Sequence, residues 1–151
     1  MNPDQALIHH FAAHPTAEPV RVDSNPMAQA LRTRLARVDT ELGLVELHFE
    51  PGDTFIQGKG VVQGGAVAAM LDFAMAFAAL AKLDAQHTVA TANLNVSFLR
   101  AALAGPLVAV GEVERAGRSL VFTQARLMDG QGRLIATASS TLPVMAVRAA
   151  S

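Results

Sequence analysis

The stretch GVVQGGAVAAMLDFAMAFAALA, residues 60–81, holds one charged side chain, Asp72, in an otherwise apolar run. The nearest other charges, Lys59 and Lys82, lie just outside it. A carboxylate is costly to remove from water without a partner. Asp72 is therefore either a structural acid bonded to a neighbouring polar group, or an acid that works as nucleophile or general base. Two adjacent glycines, Gly64 and Gly65, stand near the start of the run. If a helix begins there, its first amides have no intrahelical partner and sit at the positive end of the helix dipole. Glycine also allows close approach to the backbone. The Gly64 N–H thus suits an oxyanion, meeting charge that grows in a transition state. Asp72 lies about 12 Å further along a helix axis, at about 1.5 Å per residue, too far for both groups to reach one carbonyl from the same helix.

The flanking sequence supplies the elements that must hold this helix. Residues 4–13 read as a short helix with Asn2 or Asp4 near its cap and Pro15 ending it. PMAQAL, residues 26–31, reads as a helical turn. RTRLARVD and LVELHFEP read as two strands joined around TELG, or as one strand broken by a bulge. Val45, Leu47 and Phe49 alternate there with Glu46, His48 and Glu50, a half-buried strand. GDTFIQGKG is a loop, and the central helix runs from Gln63 or Gly64 to about Leu83. HTVATANLNVSFLR then alternates cleanly, with Ala90, Ala92, Leu94, Val96 and Phe98 on the core face and Thr91, Asn93, Asn95 and Ser97 on the other. LVAVGEVE and SLVFTQARLM pair across RAGR, and DGQGR turns into the last strand, LIATASSTLPV. Short turns between consecutive strands argue antiparallel pairing, and a single apolar helix must be covered by that sheet. The expectation is an α+β chain, a curved antiparallel sheet wrapped around one long central helix, in a single domain over residues 1–151. Within it, residues 1–32 form a helical segment and connector, and residues 33–145 form the core.

Composition narrows the function. The chain has 151 residues, 51% of them hydrophobic and 17% charged, which suits a well-buried core. The formal net charge of -1 provides no basic field for nucleic acid. With no cysteine, disulfides, thiolate metal sites and cysteine nucleophiles are excluded. Residues 60–81 are long enough to raise a membrane reading, but Asp72 at mid-bilayer costs about 2.5–3.5 kcal/mol and strands flank the run. No membrane partner is expected. The N-terminus lacks a basic region followed by a long apolar run, so a cytoplasmic location is the default expectation. His10 and His14 have the spacing of two metal ligands on one helical face, but Pro15 follows and no His-Glu-x-x-His pattern supports them. No metal is expected.

Two segments together resemble a known family. GVVQGGAVAAMLDFAMAFAA resembles the pattern G-x-x-H-G-G followed by an acid on the helix, and LNVSFLRAALAGPLVAVGEVERAGRSLVFTQARLMDGQGRLIATASS resembles a three-strand meander. Both are similar to the hotdog-fold acyl-CoA thioesterases of the phenylacetic acid degradation (PaaI) type and to the related 4-hydroxybenzoyl-CoA thioesterases. The resemblance covers roughly residues 40–145 and implies a hotdog fold and an acyl-CoA thioesterase. It implies a homodimer, assembled as a dimer of dimers, in which Gly64 of one chain is the oxyanion donor and Asp72 of its neighbour is the nucleophile or general base. Coenzyme A enters as part of the substrate, with no other cofactor. Gln57 matches an Asn or Gln that orients water or the substrate carbonyl, an amide being both donor and acceptor. Gly65 contributes beside Gly64.

Arg115, Gly117 and Arg118 of the RAGR turn, and Arg100 after SFL, are candidates for the phosphates of coenzyme A, or else solvated charges. Thr91, Asn93 and Asn95 are candidates to line the pantetheine tunnel or a subunit contact, or else exposed sheet residues. Met70, Phe73 and Phe77 are candidates for the acyl pocket. Two positions depart from the family pattern: Gln63 stands where many members have His, and Ala76 stands where some have a hydroxyl one turn after the acid. These departures keep open a hotdog protein that binds an acyl thioester without turning it over. A hotdog hydratase is a third reading, but its usual Asp-His pair is not evident around residue 72.

Overall fold

The computed structural model describes residues 1–148, so the last three residues of the expected domain lie outside the described ones. Helix α1 spans Pro3–Ala13, with the Asn2 side chain accepting from the Gln5 N–H and a proline in the first turn. Strand β1 (Val20–Arg21) and the short helix α2 (Pro26–Ala30) follow. Strands β2 (Arg34–Asp39) and β3 (Leu44–Phe49) are two strands rather than one. The turn between them is held by Asp39, whose carboxylate accepts from the Glu41 and Leu42 N–H groups. Gly43 closes it at φ +66, where a Cβ would also fall 2.7 Å from Lys82 Cγ.

The expected loop at residues 52–60 has more structure than its composition suggests. A single 3-10 turn at Asp53–Phe55 leads into a miniature hairpin, β4 (Ile56–Gln57) against β5 (Val61–Val62). Helix α3 then spans Gly64–Lys82. After it come β6 (His87–Val89), β7 (Asn95–Phe98), β8 (Leu107–Ala116), β9 (Leu120–Asp129) and β10 (Leu134–Ala146). The antiparallel sheet runs β1-β2-β3-β8-β9-β10, and β6 and β7 both pair with the far side of β10.

The sheet curls around α3, which packs on β3, β8, β9 and β10. The reason lies in one row of residues across the sheet. Register aligns Val45, Gly111, Ala125, Ala138 and Val96 from strand to strand. The small side chains in the middle let α3 come close, and the valines at either end rise beside it. Against them α3 presents Ala66, Ala74, Ala78 and Ala81 among larger buried residues such as Met70, Leu71 and Phe77. The closest approach is at Gly111, where a Cβ would fall on the Ala74 carbonyl. Burying each large α3 side chain contributes roughly 1.5–3 kcal/mol. This helix is long and apolar enough to cross a membrane, but it is the core helix of the fold, so no membrane is implied.

Helix α1 docks on the end of α3. Ile8 and Phe11 are buried there, and the fully buried Gln5 donates from Nε2 to the Leu83 and Asp84 carbonyls at 3.2 and 2.8 Å. The Leu83 carbonyl is an orphan acceptor at the α3 C-cap, and the Asp84 carbonyl also accepts from the His87 N–H at 3.2 Å. His9 adds a contact from Nε2 to the Leu80 carbonyl at 3.1 Å.

The segment after α3 departs from its sequence pattern. The alternation predicts one strand with Ala90, Ala92, Leu94, Val96 and Phe98 on the core face. Instead β6 and β7 are separated, and the six steps from Val89 to Asn95 are matched by only five from Val144 to Ser139 on β10. One extra residue is thus accommodated, as in a β-bulge, and it swaps the faces. Val89 packs inward before the interruption, and Leu94 and Val96 pack inward after it. Ala90 and Ala92 are exposed, and their N–H groups donate to Pro143 and Thr141 of β10. The interruption is tied to β10 by Asn93, whose carbonyl accepts from Ser140 Oγ at 2.8 Å and whose side chain accepts from the Thr141 N–H at 3.3 Å.

Gly111→Ala should fail to fold, or unfold at far lower temperature than the wild type, because the obstruction is backbone and cannot rotate away; circular dichroism of the purified variant checks this. A second prediction concerns the β9–β10 turn. Asp129 accepts from the Arg133 and Gln131 N–H groups and from Arg133 Nε at 2.8 Å, and these bonds, the Arg133 N–H first, hold its carboxyl below the ordinary aspartate range. A depressed pKa stabilises the fold above the unfolded-state value, and that contribution is lost as pH falls through the folded-state value. Asp129→Asn should therefore lower Tm at pH 7, and the gap to wild type should close below about pH 4.

Candidate functional site

The start of α3 is an uncapped helix N-terminus. Gln63 precedes it in extended conformation, φ -54 and ψ 138, with no side-chain cap bond. Its N–H donates to the Phe55 carbonyl at 2.7 Å, and its carbonyl accepts from the Ala66 and Val67 N–H groups. Gly64 and Gly65 are exposed, and as the first two residues of the helix their N–H groups have no intrahelical partner. The loop after β7 braces this end: Val62 donates to the Ala102 carbonyl at 2.7 Å and Ala104 donates to Gly60 at 3.0 Å. Phe98 lies across Gly64, its Cε1 3.5 Å from where a Cβ on that residue would stand. Phe98, Leu99 and Leu103 together leave an exposed apolar rim here.

The sheet covers most of α3 but leaves one stripe open. Gly65, Ala68, Ala69, Asp72, Phe73 and Ala76 are half-buried or exposed, while residues between them are buried. Their spacing of three and four is that of one helical face. Asp72 is half-buried in this stripe, and its Oδ1 accepts from Thr91 Oγ1 at 2.9 Å. Among the described residues no other hydrogen bond holds the carboxylate, so Oδ2 is the unoccupied oxygen. Asp72 therefore shares its open stripe with Gly65, and lies about 12 Å along the helix axis from Gly64.

Thr91 is what the sequence pattern did not identify as a partner of Asp72. Strict alternation placed it with Asn95 and Ser97, yet the bulge turns it toward α3, while Asn95 and Ser97 line a groove of about 580 Å³ on the opposite, convex face. No linear spacing from Asp72 announces this contact. The hydroxyl that Ala76 lacks is thus present beside the acid, supplied by the neighbouring strand segment.

The remaining expected residues are spread over the surface. Gln57 is exposed on β4, at the same end as Gly64. Asn93 is engaged with β10 as described. Arg100 is exposed beside the loop that braces the α3 N-terminus, its own N–H bonded to the Ile135 carbonyl. Arg115, Gly117 and Arg118 lie in the β8–β9 hairpin near the other end of α3, with the Gly117 N–H donating to Leu120 at 2.8 Å. One chain therefore does not bring Arg100 together with the RAGR turn. Met70 and Phe77, expected in an acyl pocket, are buried in the core under the sheet, and only Phe73 reaches the open stripe, meeting Phe77 edge-on at 6.1 Å between centroids. His10 and His14 stack at 4.9 Å. No group of three or more His, Asp or Glu able to hold a metal occurs among the described residues.

A curled antiparallel sheet wrapped around one central helix is a hotdog fold. A model of the thioesterase superfamily matches residues 59–136, just over half of the chain, and takes in the α3 N-terminus, Asp72 and Thr91. The chain belongs to the thioesterase superfamily, and is a thioester hydrolase. It is 36% identical to a candidate thioesterase of Ralstonia eutropha JMP134, a phenylacetic acid degradation-related protein, with a TM-score of 0.74 over 80% of this chain and 93% of that one. A thioesterase family protein of Silicibacter pomeroyi is 26% identical, with a TM-score of 0.75 over 96% and 99% of the two chains. A candidate esterase of Saccharolobus solfataricus is 28% identical over 72% of this chain and 75% of its own length.

The uncapped N-terminus allows the amide to be deleted cleanly. Proline is well suited to the first helical position, where no N–H is needed by the helix, and Gln63 already has the extended conformation proline demands of its predecessor. Gly64→Pro should keep the far-ultraviolet circular dichroism of the wild type and unfold within a few degrees of it.

Proposed function

We propose that the protein hydrolyses acyl-CoA thioesters, with small to medium or aromatic acyl groups, at sites shared between two copies of the chain. The observation that carries this reading is the open stripe of α3, which leaves Asp72 uncovered about 12 Å along the helix from the exposed Gly64 at its start. Two such helices laid antiparallel across a two-fold axis bring Asp72 of one chain towards Gly64 of the other, twice. The same operation brings the RAGR turn of one chain, near the α3 C-terminus, towards Arg100 of its partner, near the α3 N-terminus. The exposed apolar rim of Phe98, Leu99 and Leu103 is surface that such a homodimer covers, and two dimers assemble as a tetramer.

In this reading the thioester carbonyl oxygen points at the Gly64 N–H, with Gly65 beside it, and gains charge there as the carbonyl carbon is attacked. Thr91 occupies Oδ1 of Asp72, which leaves Oδ2 to act. Oδ2 either attacks the carbonyl, expelling the coenzyme A thiolate and leaving a mixed anhydride for water to open, or takes a proton from the attacking water. In both routes the C–S bond breaks and the acyl carbon ends as a carboxylate. Gln57 and Gln63, exposed at the same rim as Gly64, orient the carbonyl or the water through their amides. Arg115, Gly117, Arg118 and Arg100 receive the coenzyme A phosphates.

A panel of short, medium and aromatic acyl-CoAs, read by release of free thiol, tests the activity. Asp72→Asn should lower kcat by roughly 10²–10⁴ and Gly64→Pro by roughly 10²–10³, both without dissociating the oligomer. Wild-type turnover in Asp72→Asn would remove the acid from the mechanism. Binding of acyl-CoA without thiol release by the wild type would establish the non-catalytic reading instead. Thr91→Val tests the positioning role: kcat should fall about tenfold or more, the scale of a hydrogen bond to a charged group, while KM stays near the wild-type value.

A further inference from the structure

The edge of the sheet away from the open stripe of α3 carries an unbalanced group of arginines. Register sets Arg21 of β1 directly opposite Arg34 of β2, and Arg34 opposite His48 of β3. Directly opposed residues on neighbouring strands share a face, with Cβ atoms about 4.5–5.5 Å apart, and like charges so placed destabilise the pair. Arg32 joins them: Arg21, Arg32 and Arg34 line one groove of about 330 Å³ together with Asp23, Gln29 and Thr33. Asp23 neutralises only Arg21, at 3.2 Å. Among the described residues, Arg32 and Arg34 make neither an ion pair nor a side-chain hydrogen bond, and Glu50, which lines the adjoining groove with both, is not paired with either.

Two further features at the same place are unfavourable in the unliganded chain. Thr33, between the two unpaired arginines, is 3% exposed, and its hydroxyl has no hydrogen-bond partner, an unfavourable state for a buried polar group. Arg32 itself stands at φ +51, in the left-handed region that side chains other than glycine seldom adopt. Three guanidiniums thus share the groove with one carboxylate, Asp23, which is paired to Arg21. A multiply charged oxyanion supplies the negative charge that the opposed and unpaired arginines lack. It offsets the repulsion between the opposed guanidiniums and accepts from their forked N–H groups.

We propose that Arg21, Arg32 and Arg34 form a phosphate site, taking a phosphate dianion or the terminal phosphate of a phosphomonoester. None of its residues belongs to α3 or to the loop before it, so the site stands whatever the outcome for Asp72. The test is thermal unfolding and calorimetric titration with sodium phosphate against sodium chloride of equal ionic strength. Phosphate should raise the wild-type Tm above the chloride value and saturate. Arg34→Gln should not lower Tm in chloride, since it removes the opposed like charge, and should weaken phosphate binding at least tenfold. Arg21→Gln, which also relieves the opposition, should weaken it in the same direction. Adenosine 3′,5′-bisphosphate competing more tightly than phosphate would identify a nucleotide phosphate as the occupant, and weaker competition would identify the free ion; both support the site. Equal Tm in phosphate and chloride, or an undiminished phosphate response in Arg34→Gln, would overturn it.

Discussion

The contact on which the structure depends is the one between Gly111 of β8 and the α3 backbone at Ala74 and Met75. No side chain separates strand from helix there. A residue row that is small at its centre and larger at its ends, Val45-Gly111-Ala125-Ala138-Val96, turns a sheet surface into a trough for one helix. Protein interiors are packed to crystal-like density, so the depth of that trough sets how far α3 sinks into it. The depth in turn decides which helical face is swallowed and which is left outside.

The open face carries the one acid of α3. Because α3 is apolar almost all round, its hydrophobic pattern could not select a buried side by itself; the shape of the sheet does so. Asp72 falls on the uncovered stripe, where an ionised carboxylate is tolerated, rather than against the trough, where it would lack a partner. The bulge between β6 and β7 completes the arrangement. By shifting register one residue it turns Thr91 towards Asp72 and leaves Asn95 and Ser97 on the convex face. An irregularity at the edge of a sheet thus supplies the one polar partner the acid has among the described residues.

Much of this architecture was legible in the residues. The alternation at Val45, Leu47 and Phe49, the turn at TELG, the RAGR and DGQGR turns, and the limits of α3 all correspond to local chemistry: side-chain period, turn residues, and a helix that begins where glycines follow a polar residue. HTVATANLNVSFLR was misread for a specific reason. Alternation reports faces only while the register is constant, and the inserted residue near Asn93 breaks it without leaving a glycine or proline as a sign. The burial of Met70 and Phe77 under the sheet was not legible for a related reason: apolar side chains on an apolar helix carry no mark of which side the sheet will take.

The sequence by itself determined the inventory and its spacing: a lone acid eight residues beyond a glycine at a helix start, with strands on both sides to bury the rest of that helix. Those facts follow from local propensities and from the helical rise, which do not depend on distant contacts. The tertiary structure alone decided which stripe of α3 stays open, that Thr91 rather than a helix residue holds Asp72, and that Arg21 and Arg34 stand opposed at the sheet's edge. Each of these is set by strand register and by the depth of helix packing, and both are long-range quantities that a change of one residue in pairing or one methyl group at Gly111 would alter.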